Sequence, residues 1–288
     1  MSADTRTLVM GAVAYDPKVV PIWEGFKSYF ARHGLSFDFV LYSNYERQVE
    51  AHLAGHTDVV WNSPLAWVRS QRLARARNQK VEAIAMRDTD QDLTSVIVVR
   101  ADSPVQVLSD LKGKTIAVGA VDSPQASLIP LSYLRARDLT PGVDFEVTYH
   151  DLLGGKHGDH IGGEREAARA LIAGRADAAC MIDGNHLLFA SEGTFPANAT
   201  RILAQTDTYD HCNFTVGPQA PRELVERFRD LLLDMSYADA DVRPLMDLEG
   251  LKAWRAGRTE GYRALDTAVD EEGFYDRHGL ITVPNYRY

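Results

Sequence analysis

The chain is 288 residues long, 45% hydrophobic and 25% charged, a composition that suits a soluble globular protein with room for two moderate domains. Its formal net charge of −9 argues against nucleic acid as a partner, while a locally positive or polar site for a small anion stays open. No apolar run approaches the roughly 20 residues of a membrane span.

Met1 to Thr7 is short and polar and lacks the basic, apolar and cleavage-site segments of a signal peptide. The expected compartment is periplasmic if the chain is a mature or trimmed form, and cytoplasmic otherwise. Cys180 and Cys212 allow one disulfide but do not make a disulfide framework.

The pattern is strand then helix, repeated, which predicts parallel sheets covered by helices. Leu8–Ala14 reads as a strand, and Val19–His33 carries Val20, Trp23, Phe26 and Phe30 at helical spacing before Gly34 stops it. Phe37–Tyr42 is a second strand and Tyr45–Ala54 a second helix. Val59–Trp61 is a third strand, with Pro64–Ala76 the helix behind it. The pattern then restarts with strands at Ser95–Arg100 and Thr115–Gly119, a helix over Ser127–Arg137 and a strand at Glu146–His150. A helix over Arg165–Ala173 and a strand at Ala178–Ile182 follow. Beyond Phe214-Thr215-Val216 the chain turns mostly helical, with Pro221–Met235 amphipathic.

One internal echo stands out. Ala51-His52-Leu53-Ala54-Gly55-His56-Thr57-Asp58-Val59-Val60 is matched by Ala170-Leu171-Ile172-Ala173-Gly174-Arg175-Ala176-Asp177-Ala178-Ala179. Each is a helix end, a glycine stop, two spacers, an Asp and a buried strand, as expected of two similar α/β lobes.

Together with Asp58-Val59-Val60-Trp61-Asn62-Ser63-Pro64-Leu65-Ala66, Ser95–Pro104, Asp110-Leu111-Lys112-Gly113-Lys114-Thr115-Ile116-Ala117-Val118-Gly119 and Asn213–Pro218, the chain resembles the substrate-binding proteins of phosphate, phosphite and phosphonate importers. The resemblance runs from about Leu8 to Met235. It implies a two-lobed, type 2 periplasmic-binding-protein-like α/β fold, each lobe a mainly parallel sheet flanked by helices. Two hinge crossovers are implied, near Arg87–Thr94 and Gln205–Asn213. Residues 1–90 with 210–288 would form lobe one and 91–209 lobe two, the ligand cleft lying between them. A small-molecule ligand and an ABC-transporter permease are the implied partners, with no cofactor.

In open α/β sheets ligands bind beyond the carboxyl ends of strands, where helix N-termini expose N–H groups. Four junctions qualify: Ala14-Tyr15-Asp16, Asn62-Ser63-Pro64, Asp122–Ser127 and Asp183-Gly184-Asn185. The candidate ligand contacts are Tyr15, Asn62, Ser63, Ser123, Gln125, Ser127, His157, Asp183, Tyr209 and His211. Plain helix capping is the alternative for any one of these junctions. The family's Ser/Thr-rich run is here Asp122-Ser123-Pro124-Gln125-Ala126-Ser127, with fewer hydroxyls and an added Asp. Lys156 and Arg87 are the best-placed cations for an anionic ligand.

The Gly-rich stretch Gly154–Glu164 and Tyr209-Asp210-His211-Cys212-Asn213 offer imidazole, thiol and carboxylate donors of the kind that hold zinc or iron. His157, His160, His211 and Cys212 are the candidate metal ligands, although their spacing matches no metal motif. Two functions fit. The first is a binding protein that closes on a small polar or anionic, phosphonate-like ligand for transport or sensing. The second is a cytoplasmic metal-dependent enzyme on the same scaffold.

Overall fold

The computed structural model describes residues 6–288. The chain forms two compact units. Unit 1 holds the residues up to Gln91 with Asp210–Gly261 and Arg277–Leu280; unit 2 holds Asp92–Tyr209, Tyr262–Asp276 and Ile281–Tyr288. Residues 262–276 and 281–288 lie with unit 2, whereas the family resemblance implies the whole C-terminal stretch in lobe one.

Unit 1 carries β1 (Leu8–Val13), α1 (Val19–Arg32), β2 (Phe37–Tyr42), α2 (Tyr45–Leu53), β3 (Val59–Asn62), α3 (Pro64–Ala76) and β4 (Glu82–Arg87). Unit 2 follows with β5 (Ser95–Arg100), β6 (Thr115–Val118), α4 (Ile129–Arg135), β7 (Glu146–Tyr149), α5 (Gly162–Ile172), β8 (Ala178–Ile182), α6 (Asp183–Ser191) and β9 (Thr200–Gln205). Unit 1 resumes with β10 (Asn213–Val216), α7 (Arg222–Leu233), α8 (Arg243–Glu249) and β11 (Trp254–Ala256). The helix α9 (Arg263–Glu271) then joins unit 2.

The sheet of unit 1 runs β11-β4-β10-β3-β1-β2 and that of unit 2 β7-β6-β8-β5-β9. Both are mixed rather than mainly parallel. In unit 1 the β1–β2 and β1–β3 pairs are parallel while β10 and β11 add antiparallel. In unit 2 β6 pairs parallel with β7 and β8, and β5 antiparallel with β8 and β9. The antiparallel strands enter where the chain crosses between units, a topology that the strand–helix rhythm does not reveal.

Each unit has its own core. In unit 1 the aromatic residues Trp23, Phe26, Phe30, Trp61, Phe214, Phe228 and Trp254 pack together against the sheet. In unit 2 one face of the sheet buries Val96, Val98, Ala179 and Met181 against Ala167, Leu171 and Phe189. The other face buries Ile97, Val99, Ile116 and Val118 against Leu131, Leu134 and Phe145.

The internal echo has one physical cause in both units. Asp58 N–H donates to the Val9 carbonyl at 2.8 Å, and Asp58 Oδ2 accepts from Val9 N–H at 2.9 Å. Asp177 does the same to Thr115, at 2.8 and 3.0 Å. Each Asp therefore clamps the entry of its strand to the neighbouring parallel strand, after a glycine in the left-handed region (Gly55 φ 82°, Gly174 φ 69°) has ended the preceding helix.

Candidate functional site

The strand ends of unit 1 supply two junctions. After β1 the half-buried Tyr15 packs against the aromatic core, with the Lys18 ammonium 5.8 Å from its ring centre. After β3, Ser63 caps α3: its Oγ accepts from Ala66 N–H at 3.1 Å, and Pro64 occupies the first turn. Asn62 is buried and used at both ends of its amide. Its Oδ1 accepts from Gln48 Nε2 at 3.0 Å, and its Nδ2 donates to Thr215 Oγ1 at 2.9 Å and Ser70 Oγ at 3.3 Å. Asn62 thereby ties α2, α3 and β10 to β3.

In unit 2 the β6 end opens into a denser polar cluster. Where the sequence pattern predicts one helix over Ser127–Arg137, the structure has a wide π turn at Pro124–Leu128 followed by α4. Ser123 caps this turn, its Oγ accepting from Ala126 N–H at 3.2 Å. Such turns are frequent at functional sites. Gln125 reaches across to the Gly-rich loop, with Nε2 donating to the Gly158 carbonyl at 2.8 Å and to Glu164 Oε1 at 3.1 Å. Ser95 Oγ donates to the Gln125 carbonyl at 2.5 Å and lies 2.8 Å from the Tyr209 hydroxyl. Burial holds the Tyr209 phenol well above its ordinary pKa, so it stays neutral. Two buried polar atoms of this turn, Ser127 Oγ and Gln125 Oε1, have no hydrogen-bond partner among the described residues.

Two carboxylates organise the surrounding loop, and the sequence reading names neither as a ligand contact. Asp122 Oδ2 accepts from Gly155 N–H at 2.7 Å, His157 N–H at 3.3 Å and the Tyr286 hydroxyl at 2.9 Å. Glu164 Oε2 accepts from Ile182 N–H at 3.0 Å and Asn185 Nδ2 at 2.9 Å. An Asp in place of a hydroxyl at the β6 junction, and a Glu in the first turn of α5, are the sequence signals for them. The loop itself turns through Gly155, His157 and Gly158, all at positive φ. His157 is buried at its centre, while His160 Nδ1 accepts from the N–H of Gly162, the first residue of α5, at 3.1 Å. Lys156 is half-buried, which lowers its ammonium pKa. Asp183, after β8, accepts from Thr94 Oγ1 at 2.8 Å and from Gly184 N–H at 2.7 Å.

A cavity of about 10 Å³ lies among Ser123, Lys156, Gly158, His160 and Glu164, room for a single water. Larger hollows of about 170 and 250 Å³ open in unit 1 beside Asp58 and Gly217 and beside Glu82 and Val216. They lie at the opposite end of its sheet from Tyr15 and Asn62, away from the strand ends where α/β folds bind ligands.

The remaining sequence candidates meet in unit 1. Cys180 and Cys212 are not joined in a disulfide. Asp90, His211 and Cys212 bring three potential metal-ligand atoms within 4.8 Å of one another; among the described residues His157 and His160 join no such group. Arg87 pairs with Asp90 through two hydrogen bonds, Nε to Oδ2 at 2.5 Å and Nη2 to Oδ1 at 2.9 Å. Burial pushes the Asp90 carboxyl up, but the Arg87 charge and hydrogen bonds, with help from His211, outweigh it and hold the pKa at about 2. Arg87 is therefore committed within the protein.

Two α/β units with polar strand–helix junctions define a type 2 periplasmic-binding-protein fold, and solved structures bear this out. The PhnD1 protein of Prochlorococcus marinus, solved with methylphosphonate, superposes at a TM-score of 0.67 with 15% identity over 93% of this chain and 98% of its own. A binding component of an ABC phosphonate transporter from Pseudomonas aeruginosa gives 0.61 with 15% identity over 93% and 96%. The aliphatic sulphonate binding protein SsuA of Escherichia coli gives 0.56 with 18% identity over 92% and 83%. Residues 12–269 match the family described as ABC transporter, phosphonate, periplasmic substrate-binding protein, and the chain belongs to that family. It is a ligand-binding transport protein whose partners are a small molecule and an ABC permease. No described helix is long and apolar enough to cross a membrane.

Proposed function

We propose that the chain serves an importer on the periplasmic side of the membrane as the receptor for a small tetrahedral oxyanion of the phosphonate or sulfonate type. Polar groups at the strand–helix junctions supply the contacts. The relatives that carry this reading are those solved with methylphosphonate or named for phosphonate and sulphonate transport. The observation that carries it in this chain is the Ser123–Ser127 turn. Its Ser127 hydroxyl is buried in the π turn without a hydrogen-bond partner among the described residues. An unpaired buried polar group costs about 1–3 kcal/mol, and an oxyanion seated at the turn removes that cost by accepting from Ser127. The carboxylates of Asp122 and Glu164 repel an anion held here, so hydroxyls, backbone N–H groups and the nearby Lys156 must outweigh them.

The test is thermal unfolding with methylphosphonate, methanesulfonate or inorganic phosphate. A ligand at one hundred times its Kd stabilises the folded chain by about 2.7 kcal/mol, and Ser127→Ala should weaken the preferred anion by roughly tenfold. If none of the three anions raises the unfolding midpoint, the oxyanion reading falls. If one does and Ser127→Ala binds it equally well, the anion is correct and its placement is not.

A further inference from the structure

We infer that Asp90, His211 and Cys212 form a site for one borderline-soft divalent cation of the zinc or cobalt type. The site is built wholly from unit 1 and is independent of the oxyanion reading. Asp90 closes the short turn that follows β4, and His211-Cys212 lead into β10. Since β4 and β10 are antiparallel neighbours, the segment leaving one and the segment entering the other emerge at the same end of the sheet. The backbone locks them together there: His211 N–H donates to the Asp90 carbonyl at 2.8 Å, and Cys212 N–H donates to Asp90 Oδ1 at 3.2 Å.

The side chains then bring their donor atoms within 4.8 Å of one another. His211 Nδ1 lies 3.1 Å from Cys212 Sγ and 3.4 Å from Asp90 Oδ1. Tetrahedral zinc with a thiolate at about 2.3 Å and nitrogen and oxygen ligands near 2.0–2.1 Å holds its donors about 3.3–3.6 Å apart. These two separations match the edges of that tetrahedron to within a few tenths of an ångström. The donor set of thiolate, imidazole and carboxylate suits zinc or cobalt and does not suit magnesium or calcium, which take oxygen ligands.

The surroundings support the same cation. Arg87 grips Asp90 from both oxygens and also meets Glu249 Oε1 at 3.3 Å, the kind of outer contact that fixes a ligating carboxylate. Binding releases the Cys212 thiol proton to solvent as the S–metal bond forms. Counting the divalent ion, the thiolate, Asp90, Glu249 and Arg87, the buried set sums to zero charge, which low-dielectric burial favours. Three protein donors leave a fourth position open to water or another small donor.

Cobalt(II) titration of the full-length, reduced, metal-free protein tests this directly. A thiolate-to-cobalt charge-transfer band should rise and saturate at one equivalent, and zinc should abolish it. Cys212→Ser should eliminate the band. Asp90→Asn and His211→Gln should each weaken zinc about tenfold or more, while the His157→Ala/His160→Ala double variant should match the parent. Native mass spectrometry of the parent with zinc should show one ion per chain, a readout that needs no variant to fold. No band and no bound ion in the parent would overturn the site, as would a band that survives Cys212→Ser. Since no oxyanion is present, neither result bears on the transport ligand.

Discussion

His52 shows how a single buried side chain sets a pH response. It sits on α2 with its ring against Gly217, where a Cβ would stand 2.8 Å from Nε2, and that nitrogen lies 3.4 Å from the Asp58 carbonyl. Burial lowers its pKa to about 4, only partly offset by the hydrogen bond to Asp58. The unfolded chain, with an imidazole pKa near 6.5, therefore binds more protons than the native one between about pH 6.5 and 4. Stability rises with pH across that window and is lost as pH falls through it. The shift corresponds to about 3 kcal/mol. Urea unfolding at pH 7 and pH 4.5 should show His52→Gln losing less stability than the parent over that interval. Equal losses would mean that His52 is protonated in the folded protein. Asn62 teaches a different lesson at the same scale. Its place at a strand end marks it from sequence as a ligand contact, yet its amide is spent on Gln48, Ser70 and Thr215. Those partners sit up to 153 positions away, so no local pattern announces them.

Among the elements, the loop from Gly154 to Gly163 depends on one anchor. Asp122 holds it by accepting from Gly155 and His157 N–H, and Gln125 holds it by donating to the Gly158 carbonyl. A Cβ at Gly158 would stand 2.6–2.8 Å from the Gln125 amide and Ser123 Oγ, at φ +84°, so the loop packs directly onto the π turn. Asp122→Ala should speed amide exchange at Gly155 and His157 by tenfold or more and leave β5 and β8 protected. Unchanged exchange would show that the loop is held by other contacts. The strands and helices with strong periodicity were legible in the sequence: β2, α3, β5 and β8 match their expected residues end to end. Three strands were not. β4 has two alanines among its apolar positions, β9 lies at a sheet edge with its side chains half-exposed, and β11 has only three residues. None gives an alternation long enough to separate from loop. Of the candidate site, the junctions and the His211-Cys212 pair were legible because each is local. Asp90 as their companion was not, since only the β4–β10 pairing brings it to them.

At the scale of the whole molecule, the chain's last residues are structural members of unit 2. The helix α9 buries Leu265, Ala268 and Val269 and packs on α4 and on the π turn of the candidate site. Arg135 of α4 meets Glu272 Oε1 at 2.6 Å. Phe274 and Tyr275 are buried beyond it, and Tyr286 returns to Asp122. The turn that offers Ser127 is therefore backed by residues more than a hundred positions later in the chain. A chain ending at residue 261 keeps the β-strands of both units but removes this support, opening a cavity where five large or branched side chains stood. Losses of that kind cost about 2–5 kcal/mol for each large residue removed, so unit 2 should lose its cooperative unfolding. Unit 1 should suffer less, because its aromatic core uses no residue beyond Trp254. Hydrogen exchange resolved by peptide is the check. β5, β6 and β8 should lose protection while β1 and β3 keep most of theirs; equal loss in both units would show that they fold as one.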